Sequence, residues 1–222
     1  MDVPEITMSH WIVDLLLNPD AFFRERAGQE AGLKFPLLFV LLAGLAAAPG
    51  AYTMVGIMGP LLPPEAQSFL WIGGVIAALF SLIGTIFIFI LFVIVFHLLS
   101  AVLRGVGDIK KSFEAVGYGF LPMVLGYVLS SVAILYYAPS IVLPQVDPTT
   151  PAGAEAFGQA IASSPMTMMS AILGILFILW SANIWIFGMR HARSLTLRNA
   201  AITVGVPVGI YIIIQIWSLG VL

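Results

Sequence analysis

Four polar side chains lie inside or at the edge of long apolar runs: His97, Glu114, Asn183 and Gln215. Polar groups at such positions are costly in a membrane, which makes each of them a candidate for function. For His97 we favour a position near lipid headgroups or a hydrogen bond between helices over a chemical role. The amides of Asn183 and Gln215 are expected to face the interior and to hold helices together by hydrogen bonds.

Glu114 has a polar neighbour one helical turn away, Tyr118, because residues four apart share a helix face. Lys110, Lys111 and Arg190 are predicted to lie on the same side of the membrane. Together these residues form either a polar cluster or a solvated rim, and both arrangements are compatible with the spacing.

The string Gly-Val-Gly-Asp at 105–108 matches the Gly-x-Gly-Asp motif of intramembrane aspartyl proteases. Such enzymes need a second aspartate in a neighbouring span, so that two carboxyl groups share the catalytic proton. The remaining aspartates all fall in end segments or loops: Asp2, Asp14, Asp20 and Asp147. We therefore predict a glycine-rich turn in which Asp108 caps the following helix.

Other catalytic patterns are missing from the sequence. It contains no His-Glu-x-x-His motif, nucleophile elbow or phosphate-binding loop. Its zero cysteines exclude thiol nucleophiles and thiolate metal sites. We predict no catalytic, cofactor-binding or metal-binding residues, no cofactor, and a protein that is not an enzyme.

The composition is that of a membrane protein. Hydrophobic residues make up 60% of the 222 positions and charged residues only 9%, whereas soluble domains carry about a quarter charged residues. A net charge of −2, without a basic stripe interleaved with aromatic residues, argues against nucleic-acid binding. The predicted fold class is all-α: an integral membrane bundle of five transmembrane helices with short interfacial N-terminal helices.

Five apolar runs approach or exceed the length needed to cross a hydrocarbon core of about 30 Å. They cover residues 35–52, 68–103, 115–137, 166–189 and 200–219. The second run would be about 54 Å long as one helix, and one tilted or protruding helix is favoured over a hairpin near Gly84. Pro122 should kink the third run. Residues 54–64 and 139–165, both rich in proline, are predicted to be loops.

Residues 1–34 are predicted to form an N-terminal segment, and residues 35–222 the membrane domain. An amphipathic stretch at 6–17 is too short to span a membrane and is expected to lie in its interface. A second short helix follows, and its Phe22 and Phe23 are expected to dip into the acyl boundary.

All nine lysines and arginines fall on one side of the predicted spans. Three precede the first span, three lie between the second and third, and three lie between the fourth and fifth. Because basic residues in short loops are retained in the cytoplasm, we predict a cytoplasmic N-terminus and an external C-terminus.

Small residues mark two helix faces that another helix can approach closely. The first face consists of Gly73, Ala77, Ser81 and Thr85. The second is a GxxxG pattern, Gly205 and Gly209, with Pro207 between them. A homo-oligomer through this second face is predicted, with packing inside one chain as the alternative.

The segment SFEAVGYGFLP, followed by an apolar helix, resembles the signature of the Ypt-interacting-protein (YIP) domain family. In that family a Gly-Tyr pair precedes a proline in the third span, and the corresponding residues here are Gly117, Tyr118 and Pro122. The string FGMRHARSLTLRNAA is also similar to the family pattern, and the early NPDAFF resembles prokaryotic members. The resemblance covers roughly residues 18–222.

The resemblance implies a five-span protein of the prokaryotic plasma membrane with a cytoplasmic N-terminus. The long N-terminal region and the Asp-Leu-Tyr-Gly-Pro motif of eukaryotic members are not in this sequence. The small-GTPase binding and vesicle trafficking associated with those members are therefore not carried over.

Two functions are compatible with these features. The first is a non-enzymatic scaffold, or membrane-organising and trafficking-like factor, that contacts the lipid bilayer and unidentified protein partners. The amphipathic N-terminal stretch and the small-residue faces motivate it. The second is a small transporter or channel for an ion or small solute, motivated by His97, Asn183, Gln215 and the proline-interrupted spans.

Overall fold

The computed structural model describes residues 10–144, 146–147 and 150–219. It is 83% helical, and no strand occurs among the residues it describes. The all-α class predicted from the sequence is confirmed.

The described part of the chain forms helices of very different lengths. They are α1 (His10–Leu17), α2 (Pro19–Arg26), α3 (Lys34–Ile57), α4 (Pro64–Gln67), α5 (Leu70–Val102), α6 (Ile109–Tyr118), α7 (Phe120–Tyr137), α8 (Pro151–Ala162), α9 (Pro165–Ala192) and α10 (Leu197–Ser218). Short 3-10 turns lie at Gly59–Leu61 and Ala138–Ser140.

Five segments are long and apolar enough to cross a membrane. They are Lys34–Leu61, Leu70–Val102, Ile109–Ser140, Pro165–Ala192 and Leu197–Trp217. The five-span prediction is confirmed. The second span is a single helix of 33 residues, as the sequence favoured, and not a hairpin at Gly84.

The first span is longer than predicted. Residues 54–57, expected to begin a loop, belong to α3. Pro49 lies inside this helix without ending it, and the Thr53 hydroxyl donates a hydrogen bond to the Pro49 carbonyl at 2.9 Å. The physical reason is that a backbone in lipid must satisfy its own polar groups, so helix persists through apolar sequence.

The predicted loop 139–165 contains a helix, α8, so the prediction is wrong for Pro151–Ala162. The Thr150 hydroxyl accepts a hydrogen bond from the Gly153 amide at 3.1 Å, and Pro151 occupies the first turn. A threonine followed by proline is a helix-start signal, and the density of prolines elsewhere in this segment obscured it.

The kink predicted from Pro122 lies one turn before that residue. Helix α6 ends at Tyr118 and α7 begins at Phe120, with Gly119 at the break. Pro122 has no amide proton to donate to the carbonyl four residues earlier, that of Tyr118, and this missing bond interrupts the helix there.

The chain divides into two compact units. Unit 1 comprises the described residues of Met1–Val40, Phe87–Pro122 and Ile178–Gly209, and unit 2 those of Leu41–Ile86, Met123–Phe177 and Ile210–Leu222. Among the described residues, the largest fully buried side chains belong to unit 1 with the single exception of Met166. Unit 1 therefore holds most of the large, fully buried side chains among the described residues, and it also contains all nine lysines and arginines.

Candidate functional site

A buried carboxylate, Glu114, lies at the contact between α2 and α6 in unit 1. Glu114 is 3% exposed. Arg26 donates to its Oε1 atom through Nη2 at 2.9 Å and Nε at 3.1 Å, and Lys111 Nζ donates to its Oε2 atom at 3.1 Å. Lys111 Nζ also donates to the Arg26 carbonyl at 3.1 Å. Two cations thus compensate one buried anion, which is the condition for burying a charge at tolerable cost. We call Arg26, Lys111, Glu114 and Tyr118 the Glu114 site.

Local sequence places the two α6 members of this site. Lys111 and Glu114 are three residues apart and so share a helix face. Helix α6 begins at Ile109, directly after Asp108, because the Asp108 side chain accepts a hydrogen bond from the Lys110 amide at 3.1 Å. The cap predicted for Asp108 is confirmed.

Tyr118 closes the site with an aromatic cluster. It is 1% exposed, and its ring meets those of Phe22 and Phe23 edge-on at centroid distances of 5.1 and 6.0 Å. The Arg26 guanidinium lies 5.3 Å from the Tyr118 ring centroid, within the range of a cation–π interaction. Arg26 therefore binds the family-motif tyrosine and the buried carboxylate at the same time.

Phe22 and Phe23 are in a different place from the one predicted. They are 6% and 5% exposed, so they fill the interior of unit 1 and do not dip into the acyl boundary. The reason is the ion pair beside them: Arg26 draws α2 against α6, and the two rings then pack on Tyr118.

Helix α1 also packs into unit 1. Leu15 is fully buried, and the Trp180 indole donates to the Leu16 carbonyl at 3.2 Å. Residues 6–9 of the predicted amphipathic stretch lie outside the described residues. The interfacial position of this stretch stays a prediction.

Gly117 permits a close approach between α6 and α3. A Cβ atom added at Gly117 would lie 2.5 Å from the Pro36 Cβ and 3.0 Å from its Cα. Gly119 similarly faces the indole of Trp185, whose Nε1 donates to the Val116 carbonyl at 2.7 Å.

Of the family-motif residues, Gly117 sets the helix spacing, Tyr118 fills the core, and Pro122 is buried behind the helix break. Their functional importance stays a prediction.

His97 lies between α5 and α6. Its Nδ1 atom is 3.0 Å from the Ser112 hydroxyl, and the Ser100 hydroxyl donates to the His97 carbonyl at 2.6 Å. Hydrogen bonding between helices was one of the two arrangements favoured from the sequence.

Sequence reasoning missed the role of Arg193, which is only 4% exposed. Its guanidinium donates to the Ser100 hydroxyl and the Gly105 carbonyl, both at 2.9 Å, and to the Gly107 carbonyl. The Arg193 carbonyl in turn accepts from the Val106 amide at 2.9 Å. Burial lowers the pKa of Arg193, although a guanidinium stays charged in proteins. The Gly-Val-Gly-Asp string is thus a turn fastened to the end of α9.

A second ionic contact fastens α2 to α9. Asp20 Oδ1 accepts from Arg190 Nη1 at 2.9 Å and from His191 Nε2 at 2.8 Å. The hydrogen bond from His191 is the main cause that holds the pKa of Asp20 below its ordinary value, and the charges of Arg190 and His191 add to it against the effect of burial.

The alternatives left open for the Glu114 surroundings are now resolved. A polar cluster forms with Lys111 and Tyr118, whereas Arg190 pairs with Asp20 and Lys110 is exposed. The cluster's remaining member, Arg26, was not predicted. A basic residue near the end of a short amphipathic helix was the available signal.

The two amide side chains predicted to face the interior, Asn183 and Gln215, lie in different environments. Asn183 is exposed on α9, so the expectation that it faces the interior is wrong. Apolar residues occur on every face of α9, and the sequence therefore does not reveal which face is buried. Gln215 is half-buried and lines a cavity of about 260 Å³ in unit 2. In the described residues, no three His, Asp or Glu side chains are grouped as a metal site.

A five-span all-α membrane protein with a Gly-Tyr-x-x-x-Pro segment in its third span is the class that these features define. The chain belongs to the Yip1 domain family, whose model matches residues 13–219. Proteins of this family are not known as enzymes.

One relative is an uncharacterized protein of the archaeon Methanocaldococcus jannaschii. It is 35% identical over 126 residues, which cover 57% of this chain and 89% of that protein. No solved structure shows a significant match to this chain. The family resemblance predicted from the sequence is confirmed.

Proposed function

We propose that this protein is a non-enzymatic membrane scaffold whose N-terminal helices are clamped to the spans by the Glu114 site. The observation that carries the proposal is the buried Glu114 carboxylate, held by Arg26 from α2 and by Lys111 from α6. The Asp20 contact with Arg190 supports it, because it joins the same N-terminal helix to another span. These ionic groups therefore connect α2 to α6 and to α9.

The clamp leaves an outward face on α1 and α2 for lipid or protein partners. Val13 and Leu17 are 51% and 77% exposed on α1, and the side chain of Arg24 on α2 is 67% exposed. Apolar side chains beside a cation are suited to the boundary between acyl chains and headgroups. We place this face at the cytoplasmic surface of a prokaryotic plasma membrane, with the C-terminus external.

We also propose that the scaffold self-associates. No heavy atom lies within 4 Å of a Cβ added at Gly205 or Gly209, so other described parts of the chain do not fill the GxxxG face. The exposed amide of Asn183 adds support, because an amide in lipid is stabilised when it finds a hydrogen-bond partner.

Reconstituted vesicles test the clamp. The full-length protein and its Glu114→Gln variant would be compared for oligomer mass and for vesicle clustering or remodelling, with Glu65→Gln as a matched control in unit 2. Loosening of α1 and α2 should lower the oligomer mass and weaken vesicle clustering or remodelling in Glu114→Gln, and neither should change in Glu65→Gln. Unchanged activity in a folded Glu114→Gln protein would contradict the proposal, as would unchanged activity after deletion of residues 1–17.

Cysteine crosslinking tests self-association, and the chain has no native cysteine to interfere. Gly205→Cys should form crosslinked dimers in membranes. Gly84→Cys is the control. A Cβ added at Gly84 also faces open space, but Gly84 lies in no predicted interface. Equal dimer yields at both positions would remove the proposal.

A transport function is less well supported. The polar residues that motivated it do not form one pathway: His97 bonds to Ser112, Asn183 is exposed, and Gln215 lines a cavity whose described lining residues carry no charge. Silent proteoliposomes across a panel of ions and solutes would be the expected result.

A further inference from the structure

Unit 2 contains a cavity that the proposed scaffold function does not use. It lies between α7, α9 and α10 and has a volume of about 260 Å³, room for a ligand of several heavy atoms in place of water. Its polar lining comes from Tyr127, Ser130, Thr167, Ser170, Tyr211 and Gln215.

Among the described residues that line the cavity, several carry hydrogen-bonding groups and none is Asp, Glu, Lys, Arg or His. Tyrosine hydroxyls are protonated at neutral pH, so these lining residues are uncharged. Met123 and Phe177 supply apolar surface beside the polar groups. Such a lining suits a neutral molecule with both a polar and an apolar part, and it disfavours a charged one because burying an unpaired charge is costly.

One polar atom in this lining lacks a partner. The Ser170 hydroxyl oxygen is shielded from solvent and forms no hydrogen bond among the described residues. Leaving a buried hydroxyl unsatisfied is destabilising, and buried hydroxyls are usually satisfied by protein, by water or by a ligand. A ligand's polar group in the cavity would give this hydroxyl a partner once the Ser170 side chain rotates toward the cavity.

A glycine keeps the cavity open. A Cβ added at Gly174 would come within 4 Å of the Gln215 Nε2 atom alone, at 3.8 Å. Any larger side chain at Gly174 would grow into the space beside the Gln215 amide. The opening thus depends on a residue that can be changed without meeting the backbone of another helix.

We propose that this cavity binds a small uncharged molecule bearing hydroxyl groups, with its polar end at Ser170 and Gln215 and its apolar part against Met123 and Phe177. The hydroxyl groups could belong to the glycerol end of a neutral lipid or to a free solute. Dioctanoylglycerol represents the lipid source, and 1,2-hexanediol represents the soluble source.

The test measures saturable binding of each probe to the full-length protein in nanodiscs by saturation-transfer NMR. Wild type and Gly84→Leu should bind at least one of the two probes, and the probe that binds identifies the source. Gly174→Leu, which fills the cavity, should bind at least about tenfold more weakly. Binding of neither probe to wild type, or equal binding by Gly174→Leu, would overturn the proposal.

A second variant keeps the proposal testable if Gly174→Leu fails to fold. Ser170→Ala removes only the hydroxyl and should weaken binding about fivefold, the loss expected for one hydrogen bond. Hexanoate, a charged molecule with the same carbon chain as hexanediol, should not bind. Unchanged affinity in Ser170→Ala, or hexanoate binding as tight as hexanediol binding, would overturn the proposal.

Discussion

The two units of this protein are of similar size but are stabilised differently. Unit 1 contains all nine basic residues, the two buried charges Glu114 and Arg193, and nearly all of the largest fully buried side chains among the described residues. Unit 2 contains none of the basic residues and has the neutral cavity, together with close glycine contacts of the kind that Gly117 and Gly119 make in unit 1. Gly44 against Leu82 and Gly126 against Phe177 are examples of such contacts.

The difference shows how a membrane chain uses two kinds of packing. In unit 1, ion pairs and aromatic rings fasten α2 to α6 and α9. In unit 2, close contacts between glycines and apolar side chains hold helices together. We therefore expect unit 1 to determine global stability and unit 2 to tolerate change.

The largest effect is expected for Trp185→Ala. Trp185 is fully buried, packs against Phe92, Phe96 and Phe120, and bonds to the Val116 carbonyl. Its removal should lower the free energy of unfolding by about 3–5 kcal/mol. Unfolding in mixed micelles with increasing SDS would measure this change.

Trp71→Ala is the matched control for that prediction. Trp71 belongs to unit 2 and is 60% exposed, so its loss should change stability by no more than about 0.5 kcal/mol. Similar losses for the two tryptophans would show that the contrast between the units is wrong.

A smaller effect is expected for Gly117→Ala. The added methyl group would overlap Pro36, whose ring and backbone leave little freedom to move, and overpacking of this kind costs about 1–3 kcal/mol. Gly84→Ala meets open space and should be neutral or slightly stabilising, because alanine favours helix. A Gly117→Ala protein as stable as Gly84→Ala would refute the role given to Gly117.

The smallest effect concerns pH and Asp20. Its folded-state pKa is lowered, chiefly by the His191 hydrogen bond, so its stabilising contribution is present above the unfolded value of about 3.9. That contribution is lost as pH falls through the folded-state pKa. Asp20→Asn should therefore cost less than about 1 kcal/mol at pH 7, and its difference from wild type should disappear in acid. A difference that persists at the lowest pH would contradict this account.

The sequence was informative where one residue determines a local structure, or where the length of an apolar run determines a membrane span. Asp108 could be predicted as a cap, and Pro122 as the cause of a kink, because each acts on the backbone within one helical turn. It was uninformative about which face of α9 is buried, because apolar residues occur on every face of that helix, and Asn183 was therefore placed wrongly.

Long-range contacts account for what the sequence did not reveal. Arg26 with Glu114, and Arg193 with the Gly105 carbonyl, join residues more than 80 positions apart. No periodicity or local motif specifies such pairs. The first of these pairs lies beside Phe22 and Phe23, which are buried although the sequence alone assigned them to lipid.

The central claim is that Arg26 and Glu114 clamp the N-terminal helices to the spans. A double-mutant cycle with Arg26→Gln and Glu114→Gln, measured as free energies of unfolding, tests it most directly. We predict a coupling energy of at least about 1 kcal/mol for this pair, and additivity within about 0.5 kcal/mol for the control pair Arg24→Gln and Glu114→Gln. Additive effects for Arg26 and Glu114 would contradict the claim.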